Sequence, residues 1–298
     1  MNTIREDLQL KKILVSDGSL GTFLSRRGMQ PGECPELWNV EHADVVQDIA
    51  RAYAEAGSDL VSTNSFGGSR FKLAHFGLAE RAAELNEAAA RNVRIVVGPD
   101  VHVLASIGSS GKILMMGDVT EEELYDAFRE QAIALERGGA DACVIETMTA
   151  LDEAVIAIKA VIENTSLETA CTFTYDAMPD GTYRTMMGVS PTEMAAACLE
   201  AGATIVGANC GQGPDGMIGI VQELHAATSA PIMIQANAGR PVHVDGKDVF
   251  PATPEDMGAL VPALIQAGAS ILGGCCGTFP EHILAIAQAV ARKQSPSS

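Results

Sequence analysis

The feature that most constrains the fold of this chain is a pattern that recurs four times. An amphipathic helix ends in a small-residue turn and passes straight into an apolar strand. It reads EAGSDLVST at 55–63, RGGADACVIE at 137–146, EAGATIVGAN at 200–209 and QAGASILGG at 266–274. Each copy places a glycine where a helix C-terminus needs a left-handed residue. Each strand that follows is a short run apolar on both faces, as in a parallel sheet covered on both sides. The full count reaches eight strands, at 13–17, 59–64, 102–108, 142–147, 168–175, 204–209, 231–237 and 270–274. Helical patterns lie between them, among them 42–56, 120–137, 151–163, 191–201, 215–227 and 280–292. Thr120 before three glutamates and Ser190 before Pro191 read as helix caps. Eight strand–helix units in 298 residues predict an α/β fold of the (β/α)8 TIM-barrel class, with one domain over 1–298. A doubly wound sheet is the alternative, and the lack of a GxGxxG fingerprint after the first strand weakens it. The tail RKQSPSS at 292–298 reads as disordered.

Composition narrows the partners. A hydrophobic content of 47% supplies one large core, and aromatics at 4% leave Ala, Gly and short aliphatics to pack helices closely on strands. The formal charge of −18 repels phosphate backbones and anionic lipid, so neither nucleic acid nor membrane is expected as a partner. No run of about 18 apolar residues offers a membrane span. The N-terminal MNTIREDLQLKK lacks the apolar centre of a secretion signal. A cytoplasmic location is therefore expected. Seven cysteines make an odd count for a disulfide framework and read better as free thiols or metal ligands.

The polar and glycine-rich segments cluster just after the strands: DGSLGT, TNSFGG, SIGSSG, ET, NCGQGP, NAGRP and GGCCGT. In a barrel those positions converge on the face where active sites lie. The sharpest of them is GGCCGT. Neighbouring strand residues normally point to opposite faces, and an adjacent pair makes a strained disulfide. Gly273, Gly274 and Gly277 let the backbone turn so that Cys275 and Cys276 can face one point, and Cys210 holds the equivalent place after the sixth strand. Three thiolates with an open fourth position form a catalytic zinc arrangement. Cys143, Cys171 and Cys198 lie in apolar runs and read as core, while Cys34 has no evident partner. The six histidines lack metal spacing.

DGSLGT, TNSFGG, NCGQGP, NAGRP and GGCCGTFPEHI together resemble the homocysteine-binding module of cobalamin-dependent methionine synthase, in the homocysteine S-methyltransferase family. That family includes betaine–homocysteine and S-methylmethionine–homocysteine methyltransferases. The resemblance spans about residues 13–292. It implies a (β/α)8 barrel, Zn2+ on Cys210, Cys275 and Cys276, and transfer of a methyl group to the homocysteine thiol to give methionine. It gives Glu146 the substrate ammonium and places Asn237 near the metal, offering an oxygen when substrate is absent. Asp17 ends the first strand as Glu146 ends the fourth. Backbone N–H groups of Gly18 and Ser19, and the Ser106 to Gly108 turn, are candidates for the substrate carboxylate. Betaine-specific relatives enclose the donor in an aromatic cage. The matching positions here are Cys34, Gly67 and Thr147, and Trp38 lies four residues out of register. The expected donor is a methyl-corrinoid, free or on a separate corrinoid protein, ahead of betaine or S-methylmethionine. A reading of a different class is a zinc- or thiol-binding barrel without catalysis.

Overall fold

The computed structural model describes residues 2–244 and 247–294. Eight strands form one parallel sheet: β1 (Leu14–Val15), β2 (Leu60–Ser62), β3 (His102–Gly108), β4 (Ala142–Met148), β5 (Glu168–Phe173), β6 (Ile205–Asn209), β7 (Ile232–Ala236) and β8 (Ile271–Gly274). Their order is β1-β8-β7-β6-β5-β4-β3-β2. The two ends of that sheet meet: Ser16 bridges Leu60, Asp17 N–H donates to Leu60 O at 3.0 Å, and Asp59 N–H donates to Val15 O at 2.7 Å. The chain is a (β/α)8 barrel, as the repeat implies.

The turn glycines behave as the repeat requires. Gly57, Gly139, Gly202 and Gly268 take φ of +98°, +103°, +110° and +121°. Thr120, Ser190 and Thr253 close capping boxes on the helices Glu121–Arg137, Pro191–Ala201 and Pro254–Ala267.

Three differences from the sequence reading concern boundaries. β1 keeps two of its five expected residues as regular strand, although Ser16 and Asp17 go on pairing through the bridge to Leu60 and the Asp17 N–H. β5 stops at Phe173, and Asp176–Ala177 pairs antiparallel with Tyr183–Arg184 in a ribbon over the loop. A second ribbon joins Val242–Val244 to Lys247–Val249. At the C-terminus Arg292, Lys293 and Gln294 continue the helix Pro280–Gln294, while 295–298, the rest of the tail expected to be disordered, lie outside the described residues. Among the described residues no helix is long and apolar enough to cross a membrane.

The period of two along each strand sorts the barrel interior into layers. The lower layer is apolar: Leu14, Leu60, Leu104, Val144, Ala170, Ile205, Met233 and Ile271 form one buried cluster. Ile4 joins it from the helix Ile4–Lys11 beneath, so the bottom of the barrel is plugged. Two residues further along the same faces stand Ser16, Ser62, Ser106, Glu146, Thr172 and Gln235. The interior therefore turns polar toward the C-terminal ends of the strands.

Candidate metal centre and pocket

Cys210 follows β6, and Cys275 and Cys276 follow β8. Their sulfurs all lie within 4.8 Å of one another, and Cys210 Sγ is 3.9 Å from Cys276 Sγ. Among the described residues they are the one group of three metal-ligating side chains this close. The backbone holds them there. Cys210 adopts φ +58°, a left-handed conformation unusual for a side-chain-bearing residue, and Gly211 and Gly277 follow at +66° and +79°. Cys275 N–H donates to Ala236 O at 2.7 Å and Cys210 N–H to Gln235 O at 3.1 Å, tying both ends to β7. A Cβ on Gly274 would meet Thr278 Oγ1 at 2.3 Å, so that glycine is required by close approach.

The three sulfurs titrate as one group. Hydrogen bonds with Cys275 and Cys276 hold the Cys210 thiol well below the ordinary cysteine range, with the Asn237 side chain adding to the effect. The same bonding to Cys210 pushes Cys275 and Cys276 up. A cluster that already keeps a thiolate among three soft donors fits a soft divalent cation. Asn237 Oδ1 is buried with no hydrogen-bond partner, an acceptor left over beside the sulfurs. The other four cysteines are buried apart from this group. Burial pushes the thiols of Cys143 and Cys171 above the ordinary value, as befits core residues.

The sulfurs form one wall of a cavity of about 410 Å³ at the mouth of the barrel. Gly18, Ser19, Ser106 and Glu146 line it as well. Glu146 sits where the β4–β5 register shifts between Ile145 and Met148, an irregularity that re-aims side chains. Thr147 beside it is held at φ +58°. Asn209 sustains both. Its Oδ1 accepts from Thr147 N–H at 2.9 Å and Thr172 Oγ1 at 2.8 Å, and its Nδ2 donates to Thr147 Oγ1 at 2.7 Å and Glu146 Oε2 at 3.3 Å. Ser106 Oγ donates to Glu146 Oε1 at 2.5 Å. Burial outweighs that bond and raises the Glu146 pKa to about 7.

The remaining expected residues fall differently. Asp17 is 1% exposed and is absent from the pocket lining; its carboxylate accepts from Ser62 N–H at 2.7 Å, Ser62 Oγ at 2.9 Å and Ser16 Oγ at 3.2 Å. Burial raises its pKa to about 6. Ser106 to Gly108 is strand rather than turn. Ser106 N–H donates to Thr63 Oγ1 and Gly108 N–H to Phe66 O, so both are occupied. Ser19 N–H donates to Thr278 Oγ1 at 3.0 Å, and Gly18 has no room for a Cβ, which would meet Thr278 Oγ1 at 2.6 Å. The sequence reading missed Asn209, which stands beside Cys210 in the NC motif, and Glu36, a buried carboxylate in the pocket wall. Adjacency to a ligand was the signal for the first; the second has none.

Comparison with known proteins places this geometry in context. The family model described as homocysteine S-methyltransferase matches residues 14–290. Methionine synthases of Mycobacterium leprae (strain TN) and Mycobacterium tuberculosis (strain ATCC 25618 / H37Rv) are each 31% identical, over 95% and 97% of this chain but 24% and 26% of their own length. The chain thus spans about a quarter of the length of these relatives. Among solved structures, the homocysteine methyltransferase MmuM from Escherichia coli is similar in fold. Its metallated form has a TM-score of 0.79 at 21% identity, covering 96% of this chain and 99% of that one. Its apo form has a TM-score of 0.75 at 20% identity, covering 99% and 100%.

Proposed function

The chain belongs to the homocysteine S-methyltransferase family, and from that premise we propose that it is a zinc-dependent enzyme that moves a methyl group onto the thiol of homocysteine to give methionine. The observation that carries this reading is the meeting of three sulfurs and one carboxylate, from three strand ends, in the wall of a single pocket. Cys210, Cys275 and Cys276 would hold the ion. Bound zinc supplies a Lewis acid that keeps a fourth sulfur as thiolate at neutral pH, where a free thiol with pKa near 8.5 is mostly protonated.

The protein's own groups do the rest. Glu146, fixed by Ser106 and Asn209, receives the substrate ammonium. Gly18 and Ser19 line the same pocket, with the Ser19 N–H already donated to Thr278 Oγ1. Asp17 works from beneath, ordering Ser62 and Ser16. Asn237 Oδ1, buried without a hydrogen-bond partner, would offer the resting ion an oxygen. Leu20, Pro35 and Phe66 give the pocket apolar walls that exclude water from the reacting sulfur. The preference for a methyl-corrinoid donor rests on the missing cage, and Phe66 is the one aromatic residue in the pocket lining.

Metal analysis tests the assignment. We expect about one zinc per chain, lost together with homocysteine methylation in Cys210→Ser, Cys275→Ala and Cys276→Ala while the barrel stays folded by circular dichroism. Cys143→Ala, at a buried cysteine outside the pocket lining, should keep both. Full zinc retention in the three site variants would sink the proposal. Zinc binding with no methyl transfer from any donor would leave a non-catalytic barrel.

A further inference from the structure

The methionines divide sharply by place. Among the described residues, Met148, Met194, Met217, Met233 and Met257 are buried in the core, and the exposed ones are Met115, Met116, Met178, Met186 and Met187. Those five all stand on two loops, the one after β3 and the one after β5. Each loop carries the same three residues, Met115-Met116-Gly117 and Met186-Met187-Gly188, and both glycines are left-handed, at φ +70° and +83°. Met115, Met116 and Met186 are 83%, 77% and 81% exposed.

The two loops are fastened beside the turn that follows β4, the strand between β3 and β5. Ser110 N–H donates to Glu153 Oε1 at 2.7 Å, in the helix Leu151–Asn164, and Thr185 Oγ1 donates to Thr149 O at 2.7 Å. Glu146 and Thr147 lead into that turn, so the methionine tips stand at the same end of the barrel as the sulfur-lined pocket. None of the five lines the pocket. Packing does not account for them, since the usual work of methionine is to fill gaps in a core. An exposed thioether offers something else, a soft nucleophile in contact with solvent. The three pocket cysteines are half-buried, so an oxidant arriving from solution meets the thioethers first.

We propose that Met115, Met116 and Met186 are modification sites for hypochlorous acid, becoming sulfoxides before Cys210, Cys275 and Cys276 are oxidised. The inference goes beyond the function above and does not need it. Peroxide is a poorer match, because it selects for thiolate character. The thioether lone pair takes chlorine from hypochlorous acid as the O–Cl bond breaks, leaving a chlorosulfonium and hydroxide. Water then forms the S–O bond as chloride departs, and of the two protons released one neutralises the hydroxide. The net change is one thioether and one hypochlorous acid to one sulfoxide, one chloride and one proton; sulfur is oxidised and chlorine reduced. The polar sulfoxide forms outside the pocket, so the oxidant is consumed without touching a substrate contact.

The test follows the order in which sulfurs oxidise. The zinc-loaded full chain receives rising substoichiometric doses of hypochlorous acid and is quenched. Peptide mass mapping reads each sulfoxide, alkylation reads the free thiols, and a chromophoric chelator reads released zinc. Met115, Met116 and Met186 should hold most of the added oxygen before any site thiol or zinc is lost. A variant combining Met115→Leu, Met116→Leu and Met186→Leu keeps the side-chain volume and lacks the sulfurs. It should match wild type before treatment and lose its site thiols at about half the oxidant dose or less. Equal doses for the two proteins overturn the proposal. So does oxidation in wild type that reaches a site cysteine first, or that spreads evenly over exposed and buried methionines, and neither result depends on the variant folding. In a chain that held no zinc, alkylation of the three thiols would still read the order, so the metal assignment and this one fail separately.

Discussion

The residues that hold the metal are legible in the sequence because chemistry restricts them twice: adjacent cysteines need glycines to share a target, and a third must arrive from another strand end. Glu36 is not legible, since a glutamate after a proline in a polar loop looks solvent-facing until the TNSFGG loop is folded over it. Glu146 lies between these cases; its place at a strand end is visible, but its protonation depends on burial. With a pKa raised to about 7, its carboxylate is partly protonated at pH 7 in the free protein and ionises when the ammonium arrives. Homocysteine binding at pH 7 should therefore release more than one proton, one from the thiol and a further fraction from Glu146. Glu146→Gln should release about one proton and bind homocysteine more weakly by roughly 1.5–3 kcal/mol. Calorimetry in buffers of different ionisation enthalpy reads the count, and equal release by both proteins would refute the carboxylate's part. Stability carries the opposite signature. A carboxyl whose folded pKa is raised contributes stability that is complete below its ordinary pKa of 4.5 and is lost as pH rises through about 7. The variant should thus gain on wild type, by roughly 1–3 kcal/mol, only toward alkaline pH.

At the scale of elements, the helix–glycine–strand turn is the part of the fold written most openly, since left-handed backbone and apolar strand leave separate marks in the sequence. The bulge that aims Glu146 leaves no such mark. It arises from strand pairing, as does the left-handed Thr147 that Asn209 stabilises. The helix Ile4–Lys11 is also missed, because in sequence its single buried residue, Ile4, gives no periodic face. The turns themselves can be tested by separating backbone from space. Gly28 and Gly268 have similar φ, +111° and +121°. A Cβ on Gly28 meets nothing within 4 Å, whereas one on Gly268 lies 2.5 Å from His225 Cγ. Gly28→Ala should cost only the left-handed strain, about 1–2 kcal/mol. Gly268→Ala should add about 1–3 kcal/mol of overpacking, because the ring atom it strikes is close to the helix and cannot swing away. Thermal unfolding of the two variants would show it; equal losses would mean that the αβ turns tolerate side chains wherever the backbone does.

The whole molecule divides its labour between the two ends of the barrel, and this separation yields the last prediction. The bottom is built for closure. Thr3 and Glu6 cap the first helix, Ile4 N–H donates to Glu168 Oε2 at 2.6 Å, Arg5 pairs with Glu168 at 2.7 Å, and His102 Nε2 meets Asp7 at 2.8 Å. The Arg5–Glu168 pair is largely exposed on the arginine side and holds position more than it adds energy. The energy lies in Ile4, 1% exposed against the apolar layer of the barrel. Truncating a side chain so enclosed leaves a cavity that strands cannot collapse into without breaking their register, so Ile4→Ala should cost about 2–4 kcal/mol. The polar layer with Ser16, Ser62, Ser106 and Gln235 stands between that cavity and the sulfurs. Zinc stoichiometry and homocysteine affinity should therefore stay at wild-type values. The comparison must be made with zinc saturating in both proteins, because a bound ion adds its own stabilisation through mass action. Cys275→Ala should show the reverse, with metal lost and the zinc-free melting temperature nearly kept. If Ile4→Ala lowered zinc affinity along with its melting temperature, the two layers would be one cooperative unit, and the barrel bottom would be part of the site.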